Sequence, residues 1–224
     1  MRIFVRGILF DMDGVLISSI GSVERSWTKW AEEHGVDPAV AIKMAHGRRA
    51  IETVRALRPD LNDVEELQWL EDMEVADTEG VASLEGVQRI LQVLPASRWA
   101  VVTSATERLA MSRMQYGGIP EPKYVVTADK VIRGKPDPEP YLEGAKLLGL
   151  RPEECLVIED AASGAKAGHA AGCKVLATLF SHSMESLGAA DWVVRSLEDV
   201  RVRVEGDSIE IEFNPIAREV FAGK

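Results

Sequence analysis

Two carboxylates one residue apart end an apolar run near the start of the chain. Asp11 directly follows the apolar segment 8–10. Asp13 comes two positions later, and Gly14 follows it. A buried strand that ends in a sharp turn would bring both carboxyl groups to one point of a sheet edge. Two acids so close repel each other, so we expect a cation beside them, and Mg²⁺ is a hard cation that prefers oxygen ligands. A surface turn is the alternative, because Asp and Gly are common turn residues.

Other side chains capable of chemistry also come at the ends of predicted strands. Thr103 and Ser104 end one strand, and Glu159 and Asp160 end another. Lys135 lies in a loop between a glycine and a proline. If these groups converge on one edge, they offer a nucleophilic carboxylate, a metal cage, a hydroxyl and an ammonium. Such a set suits phosphoryl transfer, in which positioning and charge neutralisation do most of the catalysis.

The apolar pattern predicts an α/β domain interrupted by a block of helices. From about residue 84 onward strands alternate with helices, which indicates parallel pairing in a doubly wound sheet. Residues 18–82 have helical periodicity only, with a break at 58–60. We expect this block to be a cap over the carboxyl ends of the strands, where such sheets bind ligands. The predicted strands are 4–10, 99–103, 124–127, 155–159, 174–178 and 192–194.

The predicted domains follow from this pattern. The core domain comprises 1–17 and 83–224, and the helical cap domain comprises 18–82. Near the end of the core domain, apolar and polar residues alternate around a Gly-Asp turn, which predicts a hairpin at about 201–213.

The composition limits the classes of partner. The chain has 224 residues, with 26 Lys and Arg against 36 Asp and Glu, a formal charge of −10. That balance argues against a nucleic-acid or anionic-membrane surface. The two cysteines, Cys155 and Cys173, form no Cys-x-x-Cys pair, and we expect buried free thiols in a reducing cytosol. No apolar run approaches the ~18 residues of a membrane span, so a soluble cytoplasmic protein is predicted.

Four segments resemble the motifs of the haloacid dehalogenase superfamily, in the order that the family has them. They are Asp-Met-Asp-Gly-Val-Leu at 11–16, Val-Thr-Ser at 102–104, Gly-Lys-Pro-Asp-Pro-Glu-Pro-Tyr at 134–141 and Ile-Glu-Asp-Ala-Ala-Ser-Gly at 158–164. The resemblance implies a Rossmann-like, doubly wound parallel sheet with an inserted all-helical cap. Segments 23–27, 46–49 and 134–141 are similar to phosphatases of small sugar and polyol phosphates, of the glycerol-phosphate and 2-deoxyglucose-6-phosphate type.

The resemblance also implies roles for the reacting groups. Asp11 attacks phosphorus and forms an aspartyl-phosphate. Asp13 protonates the leaving alkoxide and then deprotonates the water that resolves the intermediate. Thr103, the backbone amide of Ser104 and Lys135 hold the phosphoryl oxygens.

A metal site is implied in the same way. Mg²⁺ would be held by the Asp11 carboxylate, the Asp13 backbone carbonyl and Asp160, with Glu159 nearby or acting through water. Dehalogenases of the superfamily lack the second acid, so the presence of Asp13 favours phosphate chemistry.

The sequence leaves the function of two stretches of the expected cap open. His46, Arg48 and Arg49 flank Gly47 in a loop that we interpret as facing the substrate, and a solvated helix start explains them equally well. At the hinge, many family members have Asp-Ser where this chain has Ser18–Ser19, a departure that concerns the hinge or the substrate more than catalysis.

The predicted function is a Mg²⁺-dependent phosphatase of a small sugar or polyol phosphate. A phosphosugar mutase resembling β-phosphoglucomutase is the alternative within the same chemistry. A non-catalytic phosphometabolite-binding protein is the alternative from another class. The predicted partner is a small phosphorylated metabolite, with no nucleic acid or membrane, and the chain is expected to be a monomer or weak homodimer.

Overall fold

The computed structural model describes residues 1–217 as strands and helices that alternate through most of the chain. The strands are β1 (Arg2–Val5), β2 (Gly7–Phe10), β3 (Ile17–Ser18), β4 (Ala82–Ser83), β5 (Trp99–Val102), β6 (Val125–Val126), β7 (Cys155–Glu159), β8 (Lys174–Thr178), β9 (Trp192–Val194), β10 (Arg201–Glu205) and β11 (Ser208–Glu212). The helices are α1 (Ile20–Glu33), α2 (Pro38–Ala45), α3 (Ala50–Leu57), α4 (Asp63–Ala76), α5 (Val87–Val93), α6 (Glu107–Tyr116), α7 (Glu139–Leu147) and α8 (Ala162–Ala170).

A parallel sheet in the order β6-β5-β2-β7-β8-β9 is the frame of the molecule. Its middle strand, β2, pairs with β5 and β7 and is buried on both faces, as parallel strands covered by helices require. Ile8 and Phe10 face an apolar cluster that includes α5 and α6, and Leu9 faces a second cluster that includes α7 and α8. The predicted doubly wound α/β fold is therefore confirmed.

The prediction of one strand over residues 4–10 is wrong. The segment divides at Arg6, whose N–H donates to the carbonyl of Glu154. Before that point β1 pairs antiparallel with β11 of the C-terminal hairpin, and after it β2 enters the parallel sheet. The physical reason lies in the faces of the two strands: β1 is mostly solvent-facing, whereas all four residues of β2 are buried.

The hairpin predicted at about 201–213 is confirmed as β10 and β11. The two strands pair antiparallel around a turn at Gly206, which has a positive φ of 56°. Ile209, Ile211 and Phe213 join the same apolar cluster as Ile8 of β2. The hairpin thus extends the core that supports the central strand.

Helices α1 to α4 pack around a small apolar cluster of their own. On α1, Trp27 and Trp30 are buried in that cluster, together with Val54 of α3 and Leu70 of α4. The helical break expected at 58–60 is present, because α3 ends at Leu57. The chain enters this block through β3 and leaves it through β4, which pair antiparallel.

We retain the division into a core domain (1–17 and 83–224) and a cap domain (18–82) as a proposal. The separate apolar cluster of α1 to α4 and the β3–β4 pair support it. The last seven residues of the core range lie outside the described part of the chain.

Two smaller expectations concern the cysteines and the membrane. Cys155 and Cys173 are both buried and free, as predicted. Within residues 1–217, no helix combines the length and apolar character needed to cross a bilayer.

The hairpin's contribution to the core gives a stability prediction. Ile211 is 0% exposed, so Ile211→Ala should lower the free energy of unfolding by about 2–5 kcal/mol, through lost burial and a cavity. Ile132 is 86% exposed, and Ile132→Ala should change it by no more than about 0.5 kcal/mol. Urea unfolding measures both, and equal effects would show that the hairpin is not part of the cooperative core.

Candidate active site

The ends of three neighbouring strands bring the predicted reacting groups together. Asp11 follows β2, Thr103 follows β5 and Asp160 follows β7, and these strands are adjacent in the sheet. With Asp13 and Ser104 they line one cavity of about 90 Å³ beneath the helical block. The convergence expected from the strand ends is therefore present.

Lys135 supplies a buried positive charge to this edge. The residue is 1% exposed, and its Nζ lies 2.5 Å from Asp11 Oδ1 and 2.7 Å from Glu159 Oε1. A third hydrogen bond, of 3.0 Å, goes to the carbonyl of Val102. An ammonium has three hydrogens to donate, so all of them have acceptors here. Lys135 is thereby fixed against the carboxylate predicted to be the nucleophile.

Glu159 anchors this lysine. Its Oε1 accepts from Lys135 and, at 2.8 Å, from the hydroxyl of Tyr141. Its Oε2 accepts from the backbone N–H groups of Asp160 and Ala161, both at 3.0 Å. Since both oxygens already accept two hydrogen bonds each, this carboxylate is occupied by the protein's own donors.

Gly164 makes room for that carboxylate. A Cβ at this position would lie 1.5 Å from Glu159 Oε1, so no larger residue fits without moving Glu159. Gly168, further along α8, allows close contact of this helix with Val157 of β7. The roles of Gly164 and Tyr141 were missed, because the sequence does not show which carboxylate they adjoin.

Three carboxylates are arranged so that they could hold a metal ion. Asp11, Glu159 and Asp160 each offer an oxygen, and these oxygens lie within 4.8 Å of one another. A Cβ on Gly14 would lie 1.9 Å from Asp160 Oδ2, so the turn after β2 leaves space for that carboxylate. Carboxylate oxygens are the ligands of hard divalent cations, and the donor set therefore fits such an ion. Because Glu159 is occupied, Asp11 and Asp160 are the carboxylates better placed to bind it.

Asp13 is held by two side chains that sequence reasoning did not assign. Ser19 Oγ donates to Asp13 Oδ1 at 2.6 Å, and Arg113 Nη1 donates to Oδ2 at 2.9 Å. Ser19 lies immediately after β3, whereas Arg113 lies on α6, one hundred residues from Asp13. In the sequence Arg113 resembles an ordinary polar residue of a surface helix, so no local signal identifies it.

The predicted cap residues divide into two groups. His46 and Arg48 line the cavity. Arg49 lies instead against the loop that carries Lys135, where its Nη1 donates to the carbonyl of Ile132 at 2.9 Å. A substrate-binding role for these residues stays a prediction.

Gly47, in the same loop, rests on the core. Its carbonyl accepts from Ser163 Oγ at 2.8 Å and from Ser104 Oγ at 3.4 Å. These contacts place the loop over the carboxyl ends of β5 and β7.

Comparison with known proteins decides the family. A family model described as "haloacid dehalogenase-like hydrolase" matches residues 5–172. The chain belongs to this family. The match spans all four motif segments, and the resemblance inferred from them is confirmed.

The relatives of this haloacid dehalogenase-like hydrolase include named phosphatases. Hexitol phosphatase A of Escherichia coli is 41% identical over 88% of this chain and 94% of the relative. Glycerol-1-phosphate phosphohydrolase 2 of Saccharomyces cerevisiae is 34% identical over 94% of this chain and 91% of the relative. The prediction of a phosphoric monoester hydrolase is confirmed by the family and by these relatives.

Solved structures agree on the fold. A hydrolase from Pseudomonas syringae superposes with a TM-score of 0.76, covering 87% of this chain and 95% of that one, at 23% identity. At this identity the likeness concerns the architecture alone.

Burial and mutual repulsion shift the pKa values of the acids of the site. Burial raises the pKa of Asp11 to about 8; Lys135 opposes this shift, and the charge of Glu159 adds to it. Burial, with the charges of Glu159 and Asp11, also raises the pKa of Asp160 well above its ordinary range. For Lys135, burial lowers the pKa, but the charges of Asp11 and Glu159 outweigh it and raise the pKa above that of an ordinary lysine. A cation that binds here must therefore displace protons from the carboxylates.

This competition predicts a pH-dependent metal affinity. As the pH rises from 6 to 8, Asp11 loses its proton, so the apparent dissociation constant for Mg²⁺ should fall, by up to about tenfold per pH unit. The shift of the thermal midpoint with added Mg²⁺, at several pH values, measures this.

Two variants control this measurement. Asp160→Asn should abolish the Mg²⁺-dependent shift. Asp207→Asn, at an exposed acid in the hairpin turn, should preserve it. An affinity that is independent of pH would contradict the prediction.

Proposed function

We propose that this protein is a Mg²⁺-dependent phosphatase that hydrolyses small sugar or polyol phosphate monoesters through an aspartyl-phosphate on Asp11. The observation that carries the proposal is the position of Asp11 at the cavity, with Lys135 on one side and Asp160 within reach of a shared cation. The hexitol and glycerol phosphates named for two relatives support the substrate class.

The first half of the reaction transfers the phosphoryl group to the protein. An Asp11 carboxylate oxygen attacks phosphorus, and the bond from phosphorus to the ester oxygen breaks. Asp13 gives its proton to that leaving oxygen, so the product departs as an alcohol. Lys135 Nζ, 2.5 Å from Asp11 Oδ1, offsets the charge on that carboxylate and would offset that of a phosphoryl group bound to it. A bound Mg²⁺ would supply further charge neutralisation for the phosphoryl oxygens.

The second half returns the protein to its starting state. Water attacks the phosphorus of the aspartyl-phosphate, the bond to Asp11 breaks, and Asp13 takes the proton of the water. In both halves Thr103 is available as a donor. Its Oγ1 accepts from the N–H of Ala105 at 3.1 Å, which leaves the hydroxyl hydrogen for a phosphoryl oxygen. The backbone N–H of Ser104 is the second proposed phosphoryl donor.

The cavity has a wall of mixed polarity. One part of its wall is apolar, with Ile20, Val23 and Trp27, and another carries His46 and Arg48. We propose that these two cap residues contact the hydroxyl groups of the substrate, whereas Arg49 supports the Lys135 loop.

The remaining predictions about the protein's setting are kept as proposals. They are a cytoplasmic location, a monomer or weak homodimer, and the absence of nucleic-acid and membrane partners. The formal charge of −10 supports the last of these. The alternative of a non-catalytic binding protein is not supported, since the family is one of hydrolases and the proposed reacting positions are filled.

Removal of the nucleophile tests the mechanism. Asp11→Asn should lower kcat for a phosphate ester by more than about 10³-fold, because the amide cannot form the covalent intermediate. Circular dichroism should show a folded protein, since Asn has nearly the same shape as Asp. Asp207→Asn is the matched control and should keep full activity. Substantial turnover by Asp11→Asn would refute an aspartyl-phosphate at this residue.

A panel of esters tests the substrate class. We expect kcat/KM for glycerol, hexitol and 2-deoxyglucose phosphates to exceed that for nucleoside monophosphates by at least about tenfold, because relatives of this chain are named for hexitol, glycerol and 2-deoxyglucose phosphates. Phosphate release measures this. Incubation with glucose 1-phosphate distinguishes the mutase: formation of glucose 6-phosphate instead of free phosphate would contradict the proposed hydrolysis.

A further inference from the structure

A buried arginine joins the proposed acid–base residue to the helical block. Arg113 lies on α6 of the core and is 4% exposed. Its Nη1 donates to Asp13 Oδ2 at 2.9 Å, and its Nη2 donates to Glu74 Oε2 at 2.8 Å. Glu74 is itself buried and lies on α4, across the interface between the two blocks. One planar guanidinium therefore contacts both carboxylates at once.

The carboxylate of Asp13 is oriented from both sides. Oδ1 accepts from Ser19, next to β3, and Oδ2 accepts from Arg113. Each carboxylate oxygen has more than one acceptor position, so these two contacts leave room for the proton that the reaction requires. Asp13 also lines the cavity, so the side chain is held in place while it faces the substrate.

A second arginine of α6 shows what simple docking of the two blocks looks like. Arg108 is half-exposed, and its Nη1 donates to Glu71 at 3.1 Å and to Asp72 at 2.5 Å, both on α4. Thr106 also donates to Glu71. These contacts join the same two helices without involving Asp13. Docking of α4 on α6 therefore has its own contacts, and the bond from Arg113 to Asp13 is additional to them.

Burial of Arg113 has a free-energy cost. The contacts of Arg113 with Asp13 and Glu74, here called the bridge, must offset it. Removing a guanidinium from water is unfavourable unless its partners are well placed. Asp13 and Glu74 provide such partners. They also depend on Arg113, because its loss would leave Glu74 buried and unpaired. The bridge therefore links the geometry of Asp13 to the presence of α4.

We propose that Arg113 is a positioning residue that orients Asp13 for proton transfer, and that Glu74 makes this orientation depend on docking of α4. The inference rests on the proposed function, in which Asp13 protonates the leaving oxygen. Arg113 lines the cavity, and its two hydrogen bonds go to Asp13 and Glu74, so the role assigned to it is to position Asp13.

If Arg113 positions Asp13, the loss of rate in an Arg113 variant should depend on the leaving group of the ester. Phenolate is basic and leaves readily only if Asp13 protonates it, whereas p-nitrophenolate leaves without that proton. Misorientation of Asp13 should therefore slow the cleavage of phenyl phosphate much more than that of p-nitrophenyl phosphate. The two esters have nearly the same size, so a general distortion of the cavity would slow both alike.

The test is the single-turnover rate of phosphoryl transfer to the protein, followed by rapid quench with each ester. Arg113→Met should lower the rate for phenyl phosphate by about 10²-fold and that for p-nitrophenyl phosphate by less than about fivefold. The double variant Arg113→Met/Glu74→Gln should behave in the same way. It leaves no unpaired buried charge at Glu74, so it carries the test if the single variant does not fold.

Two further variants separate the parts of the proposal. Arg108→Met is the matched control on the same helix and should change both rates equally and by less than about threefold. Glu74→Gln keeps the contact between Arg113 and Asp13 but weakens the link to α4. It should therefore reduce the phenyl phosphate rate selectively, by about five- to tenfold. No selective loss in Glu74→Gln would refute the dependence on α4.

The reference variant Asp13→Asn distinguishes failure of this inference from failure of the proposed function. It should show the full leaving-group dependence expected when the acid is lost. If Asp13→Asn shows it and the Arg113 variants slow both esters equally, Arg113 has a structural role only and the inference is wrong. If Asp13→Asn itself shows no such dependence, the proposed role of Asp13 is wrong, and the inference falls with it.

Discussion

The contact of Lys135 with Asp11 and Glu159 is the interaction on which the site depends. Parallel strands deliver Asp11, Glu159 and Asp160 to one sheet edge, where all three are buried. With every carboxylate ionised, these acids and the lysine together carry a net charge of two negative, which is the charge that a divalent cation would neutralise. Burial raises the pKa values of Asp11 and Asp160, and the negative charge of Glu159 adds to both shifts.

Each of the two proposed reacting carboxylates contacts a cation from a distant part of the chain. Lys135, before α7, lies against Asp11, and Arg113, on α6, lies against Asp13. The two cations differ in their second partner. Lys135 is anchored within the core by Glu159, whereas Arg113 reaches across to Glu74. The direct partner of the proposed nucleophile thus lies in the core, on a loop that Arg49 of the helical block contacts, whereas the proposed acid–base residue is held by an arginine that also contacts α4.

Much of the frame could be predicted because buried parallel strands have continuous apolar sequences. The bounds of β7 (Cys155–Glu159) and β8 (Lys174–Thr178) agree with the prediction at both ends. The division at Arg6 could not be predicted, since the partner of β1 lies more than 200 residues away. The same reason hides Arg113 and Gly164: their roles come from contacts between distant segments. Motif residues were found because strand ends give them a local context.

The route of the chain between the two blocks has a consequence for how the protein can evolve. It passes from the sheet into the helices only through β3 and returns only through β4, two short strands that pair with each other. A different set of helices between these strands would leave the registers of β2, β5 and β7 unchanged. The proposed determinants of substrate choice and the proposed machinery of phosphoryl transfer can therefore diverge separately, provided that a new block supplies a carboxylate where Glu74 now meets Arg113.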